Sequence, residues 1–397
     1  MAFESIAKSR EKSEKYQLRQ ELFGTTDVTP MWVADMDIPT CKEIVDALHV
    51  RVENGYFGYE MMPNSAYAAQ IRWMKKRHNL ELKREEMLSS PSVVASMSMC
   101  IEALSEVGDE IIVFTPVYPP FFHSVSRLKR RVSKCSLVQN KSGIYEINFE
   151  ELEEKAKSAK MILLCSPHNP VGRVWTKDEL EKIADIATKN SLIVMSDEVH
   201  CDLVNPNFKH IPFASISSDA REICVTLLGV GKTFNLSGLA LSTMSIASKT
   251  IFEKVKIRYE KTHFGEGNVL SNVAFEVAFS ECEYWLDETL HVLHVNYEML
   301  NEVLEKHSSL IKLTPAQGTY LAWLDCSQMK LSNKKLRNFF VNDVKLGLSA
   351  GISFGKEGDK FMRLNYAVPT ELMRDVVDRL DVALSAFSTH PHLLETF

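Results

Sequence analysis

The residue most able to do chemistry is Lys232, in the run ICVTLLGVGKTFNLSG from Ile223 to Gly238. A Gly-Lys-Thr behind an apolar run could end a phosphate-binding P-loop, which needs G-x-x-x-x-G-K-[ST]. With Gly231, Lys232 and Thr233 as its end, the opening glycine falls at 226, and that residue is Thr226. Gly229 stands too close to Lys232 to make the opening turn. The nucleotide-binding reading therefore fails, which leaves a solvated surface lysine or a lysine nucleophile.

Position favours the nucleophile. A lysine desolvated near other cations has a lowered pKa and attacks carbonyls near neutral pH. Pyridoxal phosphate (PLP) needs such a Schiff-base lysine and an acid beside its pyridine nitrogen. It also needs donors for its phosphate, often at a helix N-terminus. An amino-acid substrate needs an arginine for its carboxylate. Asn169 follows ILLCSPH, Asp197 follows LIVMS and Lys232 follows ICVTLLGVG, so each stands just past an apolar run.

Those runs read as buried strands. EIIVFTP, KMILLCSP, SLIVMSDE, EICVTLLGV and LALSTMSIAS alternate with helical patterns. SVVASMSMCIEALSEV is one such helix. Another opens at Thr176 with Glu179 three positions on, a capping box, and carries the stripe Leu180, Ile183, Ala184 and Ala187. Continuous apolar strands between amphipathic helices predict an α/β fold with a mostly parallel sheet covered on both faces. Ligands bind such sheets beyond the carboxyl ends of the strands. Past residue 285 the texture changes to a long helix, short strands (GTYLAWLD, KFMRLNYA) and a closing helix from Thr370 to about Phe387. This predicts a small α+β domain over 285–397, a large domain over 49–284, and an N-terminal segment, 1–48, packed with the small domain.

The chain of 397 residues carries a formal net charge of −6, with 45% hydrophobic and 25% charged residues. That is an ordinary globular composition, and it argues against nucleic acid or an anionic membrane as partner. The charged N-terminus lacks a signal-peptide core, and no apolar run approaches a membrane span. The eight cysteines are scattered without a C-x-x-C, which predicts buried free thiols in a reducing, cytoplasmic setting. His168, Cys165, His200, Cys201 and His210 match no metal-ligand spacing, so no metal is expected.

Nine stretches in order give a more specific reading: MWVADMDIPT (31–40), GYFGYE (55–60), SPSVVASM (90–97), FTPVYPPFF (114–122), SPHNPVGRVWTKDEL (166–180), SDEVHCDL (196–203), GKTFNLSGL (231–239), GTYLAWLD (318–325) and FMRLNYAVP (361–369). Over nearly its whole length the chain resembles fold-type I PLP enzymes, and within them the MalY/PatB-type cystathionine β-lyases, or C–S lyases. MWVADMD points to this group rather than to aminotransferases at large.

The resemblance implies PLP as cofactor, with Lys232 as its Schiff-base lysine and as the base that moves the Cα proton. It implies that Asp197 pairs with the pyridine nitrogen, Asn169 bonds the phenolic oxygen and Tyr118 stacks on the ring. Ser92, Val93 and Val94 would offer N–H groups to the phosphate, and Tyr59 would reach it from the neighbouring subunit of a homodimer. Arg363 would clamp the substrate carboxylate, with Ala34 and Asn169 close by. His200 falls near the cofactor with its role open. Tyr118 also fits plain packing, Tyr59 a surface turn and Arg363 a structural ion pair.

The implied reaction is α,β-elimination of a small sulfur amino acid to pyruvate, ammonia and a thiol. An aminotransferase, and a regulatory binding protein on the same scaffold, stay open at this point. The chain departs from the pattern where such enzymes commonly carry hydroxyl residues: Gly231 precedes the lysine, and Gly229 stands two residues further back. Ala240 stands where many aminotransferases place an arginine. The two glycines predict weaker cofactor retention.

Overall fold

The computed structural model describes residues 2–263 and 267–389. Its centre is a seven-stranded sheet made of β1 (Met87–Ser90), β2 (Glu110–Thr115), β3 (Arg131–Ser136), β4 (Ala159–Cys165), β5 (Ile193–Asp197), β6 (Cys224–Gly229) and β7 (Ser242–Ser245). The order is β1-β7-β6-β5-β4-β2-β3. Strands β3, β2, β4, β5 and β6 run parallel, and β7 is antiparallel to both of its neighbours.

The central strands β2, β4, β5 and β6 are largely apolar because both of their faces are covered, whereas the edge strand β3 is partly exposed and carries Arg131 and Lys134. Ile112, Phe114, Ile162, Leu164 and Val194 enter one core, while Ile111, Val113, Met161, Leu163 and Met195 enter the opposite one. This is the period of two expected of strands, with neither face polar. Helix Val93–Leu104 lies on the second face. Helix Lys177–Lys189 lies on the first, with Leu180, Ile183, Ala184 and Ala187 all buried. Its capping box is formed: the Thr176 side chain accepts the Glu179 N–H, and the Glu179 carboxylate accepts the Thr176 N–H at 2.8 Å.

A second sheet is antiparallel, in the order Lys312–Leu313, Leu321–Asp325, Phe361–Asn365, Ser349–Ala350. The long helix Glu283–Lys306 and the closing helix Thr370–Thr389 pack together beside it. Residues Thr29–Pro30 run parallel to Leu346–Gly347, so the N-terminal segment is stitched to this part of the chain. All eight cysteines are buried and free. No helix among the described residues is long and apolar enough to cross a membrane.

Candidate functional site

The carboxyl ends of β4, β5 and β6 open into one cavity. Asp197 is the last residue of β5, and Lys232 lies in the short helix Val230–Thr233 that follows β6. Asn169 follows β4, where its backbone carbonyl accepts the Tyr118 N–H at 3.1 Å and so ties the two loops together. Ala34, Tyr118, Asn169, Asp197, His200 and Lys232 all line this cavity.

Ser92, Val93 and Val94 line it as well. Ser92 caps helix Val93–Leu104 by accepting the Ala95 N–H at 3.1 Å. The remaining first-turn N–H groups have no intrahelical partner, which makes this end of the cavity suited to an anion.

The electrostatics set the chemistry. Burial first, and then the nearby Arg363 charge, lower the Lys232 pKa to about 8 against the opposing pull of Asp35 and Asp197. Burial also raises Asp197 to about 7, opposed by the Val199 N–H, which it accepts at 3.3 Å, and by the Lys232 charge. Asp197 has no ion pair among the described residues. Burial, then the charges of Lys232 and Arg363, drive His200 well below the usual imidazole range, so its ring is neutral. The His200 ring packs edge-on to Tyr320 at 5.8 Å, and its Nδ1 has no partner among the described residues.

Arg363 comes from the other sheet, on strand Phe361–Asn365, and is buried. Its Nη1 donates to Asn169 Oδ1 at 3.0 Å and its Nη2 to the Trp32 carbonyl at 2.6 Å. Its guanidinium lies 4.7 Å from the centre of the Phe354 ring. The described residues place no carboxylate in salt-bridge reach and no partner on Nε. A structural ion pair is thereby ruled out among these residues, and the buried cation suits a carboxylate brought by a ligand.

Segment 31–38 closes the cavity. Lys232 Nζ donates to the Ala34 carbonyl at 2.5 Å, and Tyr320 Oη donates to the same oxygen at 2.9 Å. Asn365 Nδ2 holds the Val33 and Asp35 carbonyls at 2.7 and 2.6 Å. Asn235 Nδ2 holds those of Met36 and Ile38, each at 3.0 Å. Tyr320, Asn235 and Asn365 were not foreseen. A signal existed for all three, since Asn235, Tyr320 and Asn365 sit inside the quoted stretches GKTFNLSGL, GTYLAWLD and FMRLNYAVP. Ser237 and Ser242, also in the cavity wall, were missed too.

Of the expected residues, Arg363 adjoins the cavity through Asn169, and Tyr59 is not brought to this chain's own cavity. It is fully exposed in the connection after helix Lys42–Glu53, beside exposed Tyr56, Phe57 and Met61.

These residues fit pyridoxal phosphate. A buried carboxylate without an ion pair, a half-buried amine of lowered pKa and a free helix N-terminus share one cavity. A buried arginine without a counter-ion adjoins it through Asn169. The comparisons agree with this geometry. The family described as "Aminotransferase class I and II" matches residues 31–380. The chain is similar to cystathionine beta-lyase PatB of Bacillus subtilis (strain 168), 36% identical over 94% of this chain and 97% of PatB. It is similar to protein MalY of Escherichia coli (strain K12), 30% identical over 92% of this chain and 93% of MalY. Among solved structures, cystalysin from Treponema denticola, which contains a pyridoxal 5'-phosphate cofactor, superposes with a TM-score of 0.92. That match is 31% identical and covers 96% of this chain and 97% of cystalysin. The chain belongs to the class I and II aminotransferase family, in the branch that holds PatB and MalY.

Proposed function

We propose that this chain is a PLP-dependent carbon–sulfur lyase that cleaves S-substituted L-cysteines, with L-cystathionine as the first substrate to test. The observation that carries the reading is buried Arg363, a cation without a carboxylate partner among the described residues, set beside the Lys232 cavity. The similarity to PatB and MalY chooses elimination over the other reactions of this fold.

Arg363 and Asn169 take the substrate carboxylate, and that anchor turns the Cα–H bond toward Lys232 Nζ. The amine, with its pKa lowered to about 8, is neutral often enough near pH 7 to accept the Cα proton. Bound pyridoxal phosphate supplies the electron sink for the pair left at Cα. Asp197 would keep the ring nitrogen protonated, Tyr118 would pack against the ring, and the Ser92–Val94 turn would take the phosphate. The Cβ–S bond then breaks with its electron pair leaving on sulfur, and the thiolate takes a proton. The remaining enamine is hydrolysed to pyruvate and ammonia.

We place the site in a cytoplasmic homodimer, with Tyr59 reaching the partner's phosphate end. The exposed cluster Tyr56, Phe57, Tyr59 and Met61 supports a covered surface there. The eight free thiols support a reducing compartment. Domain boundaries near residues 48 and 284 complete the reading.

The test is pyruvate release from L-cystathionine by PLP-supplied protein with no 2-oxo acid present. Catalytic pyruvate is the expected result. No pyruvate, together with a 2-oxo-acid-dependent amino transfer, would replace the lyase by an aminotransferase.

A further inference from the structure

Gly229 and Gly231 strip two side chains from the cavity wall beside Lys232, and two serines stand in the space. A Cβ on Gly231 would lie 3.0 Å from Ser237 Oγ and 3.3 Å from Ser237 Cα, and a Cβ on Gly229 would lie 3.4 Å from Ser242 Cβ. Backbone conformation does not demand glycine at Gly229, whose φ of −177° is extended. Gly231 lies in a helical turn that any residue can adopt, so the close approach of Ser237 is what position 231 must accommodate. All four residues line the cavity that Ser92 and Val93 also line.

The two serines differ in what their hydroxyls already do. Ser242 is buried on β7 opposite Ser90, where its hydroxyl donates to the Ser90 carbonyl at 3.2 Å. Ser237 is exposed at the cavity mouth, and its hydroxyl donates to the Gly231 carbonyl at 3.1 Å. That carbonyl also accepts the Leu236 N–H at 3.1 Å, so it stays bonded if the hydroxyl turns away. A serine hydroxyl reorients about its own C–O bond at little cost.

We propose that Ser237 is the hydroxyl donor to the cofactor phosphate, supplied from the loop beyond Lys232 in place of a donor at 229 or 231. The inference rests on the pyridoxal phosphate reading of the cavity. It changes the meaning of the two glycines. Gly231 makes room for Ser237, and cofactor retention is then not weakened by the missing side chain.

The test titrates cofactor-free full-length protein with pyridoxal phosphate, and separately with pyridoxal, which lacks the phosphate. Tryptophan fluorescence reads Kd for the parent, Ser237→Ala, Gly231→Ser and the double variant. Loss of one charge-assisted hydrogen bond predicts about a tenfold weaker Kd for pyridoxal phosphate in Ser237→Ala. Pyridoxal itself should bind that variant as it binds the parent. Gly231→Ser alone should also weaken binding, because its side chain meets Ser237 at 3.0 Å. The double variant should recover most of the loss, since the new hydroxyl then has the space. A Ser237→Ala Kd within twofold of the parent would overturn the proposal, as would an equal loss with pyridoxal. A double variant no better than the worse single would overturn it too. A parent chain that takes up no pyridoxal phosphate would overturn the reading of the whole cavity, before any variant is made.

Discussion

Two walls of one cavity are built on opposite rules. The floor, at Asn169, Asp197 and Lys232, is an extension of parallel strands whose backbone is paired on both sides. The lid, segment 31–38, has almost no strand pairing. Side chains hold its carbonyls instead: Arg363 at Trp32, Asn365 at Val33 and Asp35, Lys232 and Tyr320 at Ala34, and Asn235 at Met36 and Ile38. A backbone oxygen buried without a partner is costly, so these side chains stand in for a neighbouring strand, in duplicate at Ala34 (Lys232 and Tyr320) and at Trp32 (Arg363 and Ser349). The floor gives reactive groups a rigid mount. The lid links the same groups to the second sheet, because Arg363 and Asn365 both come from strand Phe361–Asn365.

The sharpest break falls on the floor. Lys232→Ala removes the base and the cofactor attachment together, and pyruvate release should fall by at least about 10⁴-fold. The fold should survive, since the side chain donates only to Ala34, whose carbonyl keeps Tyr320. Activity within tenfold of the parent would end the assignment of Lys232.

Next is the residue that joins floor to lid. Arg363→Lys keeps a charge but loses the planar fork that now spans Asn169 and Trp32. The expected loss is about 100-fold in kcat/KM, carried mainly by KM for the amino acid. A pure kcat effect with unchanged KM would mean that Arg363 positions the lid rather than the substrate.

The contrast also explains what the sequence disclosed. Asp197, Asn169 and Lys232 were legible because an apolar run followed by one polar residue marks a strand end, and strand ends converge in this architecture. The Thr176 capping box was legible for the same local reason. The direction of β7 was not, because LALSTMSIAS is as apolar as the parallel strands and carries no mark of direction. The bonds of the lid were also illegible. MWVADMD has neither helical nor strand period, and the Lys232, Asn235, Tyr320, Arg363 and Asn365 side chains that hold its carbonyls lie about 200 to 330 residues away. The positions of Arg363 and Ala34 came from family resemblance, and what the resemblance left out was how they are held. Ser237 was missed because a serine before a glycine in a loop looks like ordinary turn chemistry.

A smaller effect tests the electrostatics of the floor. The Lys232 amine, lowered to about 8, must be neutral to take up the cofactor. Uptake by cofactor-free protein should therefore rise with pH and level off above about 8, by roughly tenfold between pH 7 and pH 9. The sign follows from deprotonation of an amine, so uptake that slows with rising pH would contradict it. A plateau reached only above pH 10 would mean that burial and Arg363 do not lower the amine.

The finest test compares one lid bond with one floor support of similar worth. Asn365→Ala leaves the Val33 and Asp35 carbonyls without their Asn365 donor, at a cost of about 2 kcal/mol in unfolding free energy. Thr176→Ala removes the cap of helix Lys177–Lys189, beneath the floor, at a cost of about 1 kcal/mol. Both should lower the denaturant midpoint, yet only Asn365→Ala should lower kcat/KM, by about three- to tenfold. The reason is that Val33 and Asp35 flank Ala34, whose oxygen meets Lys232, and a shifted lid displaces the amine and the Trp32 oxygen on Arg363 together. Neither Thr176 nor any residue of helix Lys177–Lys189 lines the cavity, so loss of the cap acts on helix stability alone. Equal activity losses in the two variants would show that the lid works only as structure. A loss confined to Asn365→Ala would show that side-chain bonds to a loop backbone set the catalytic geometry as firmly as a sheet does.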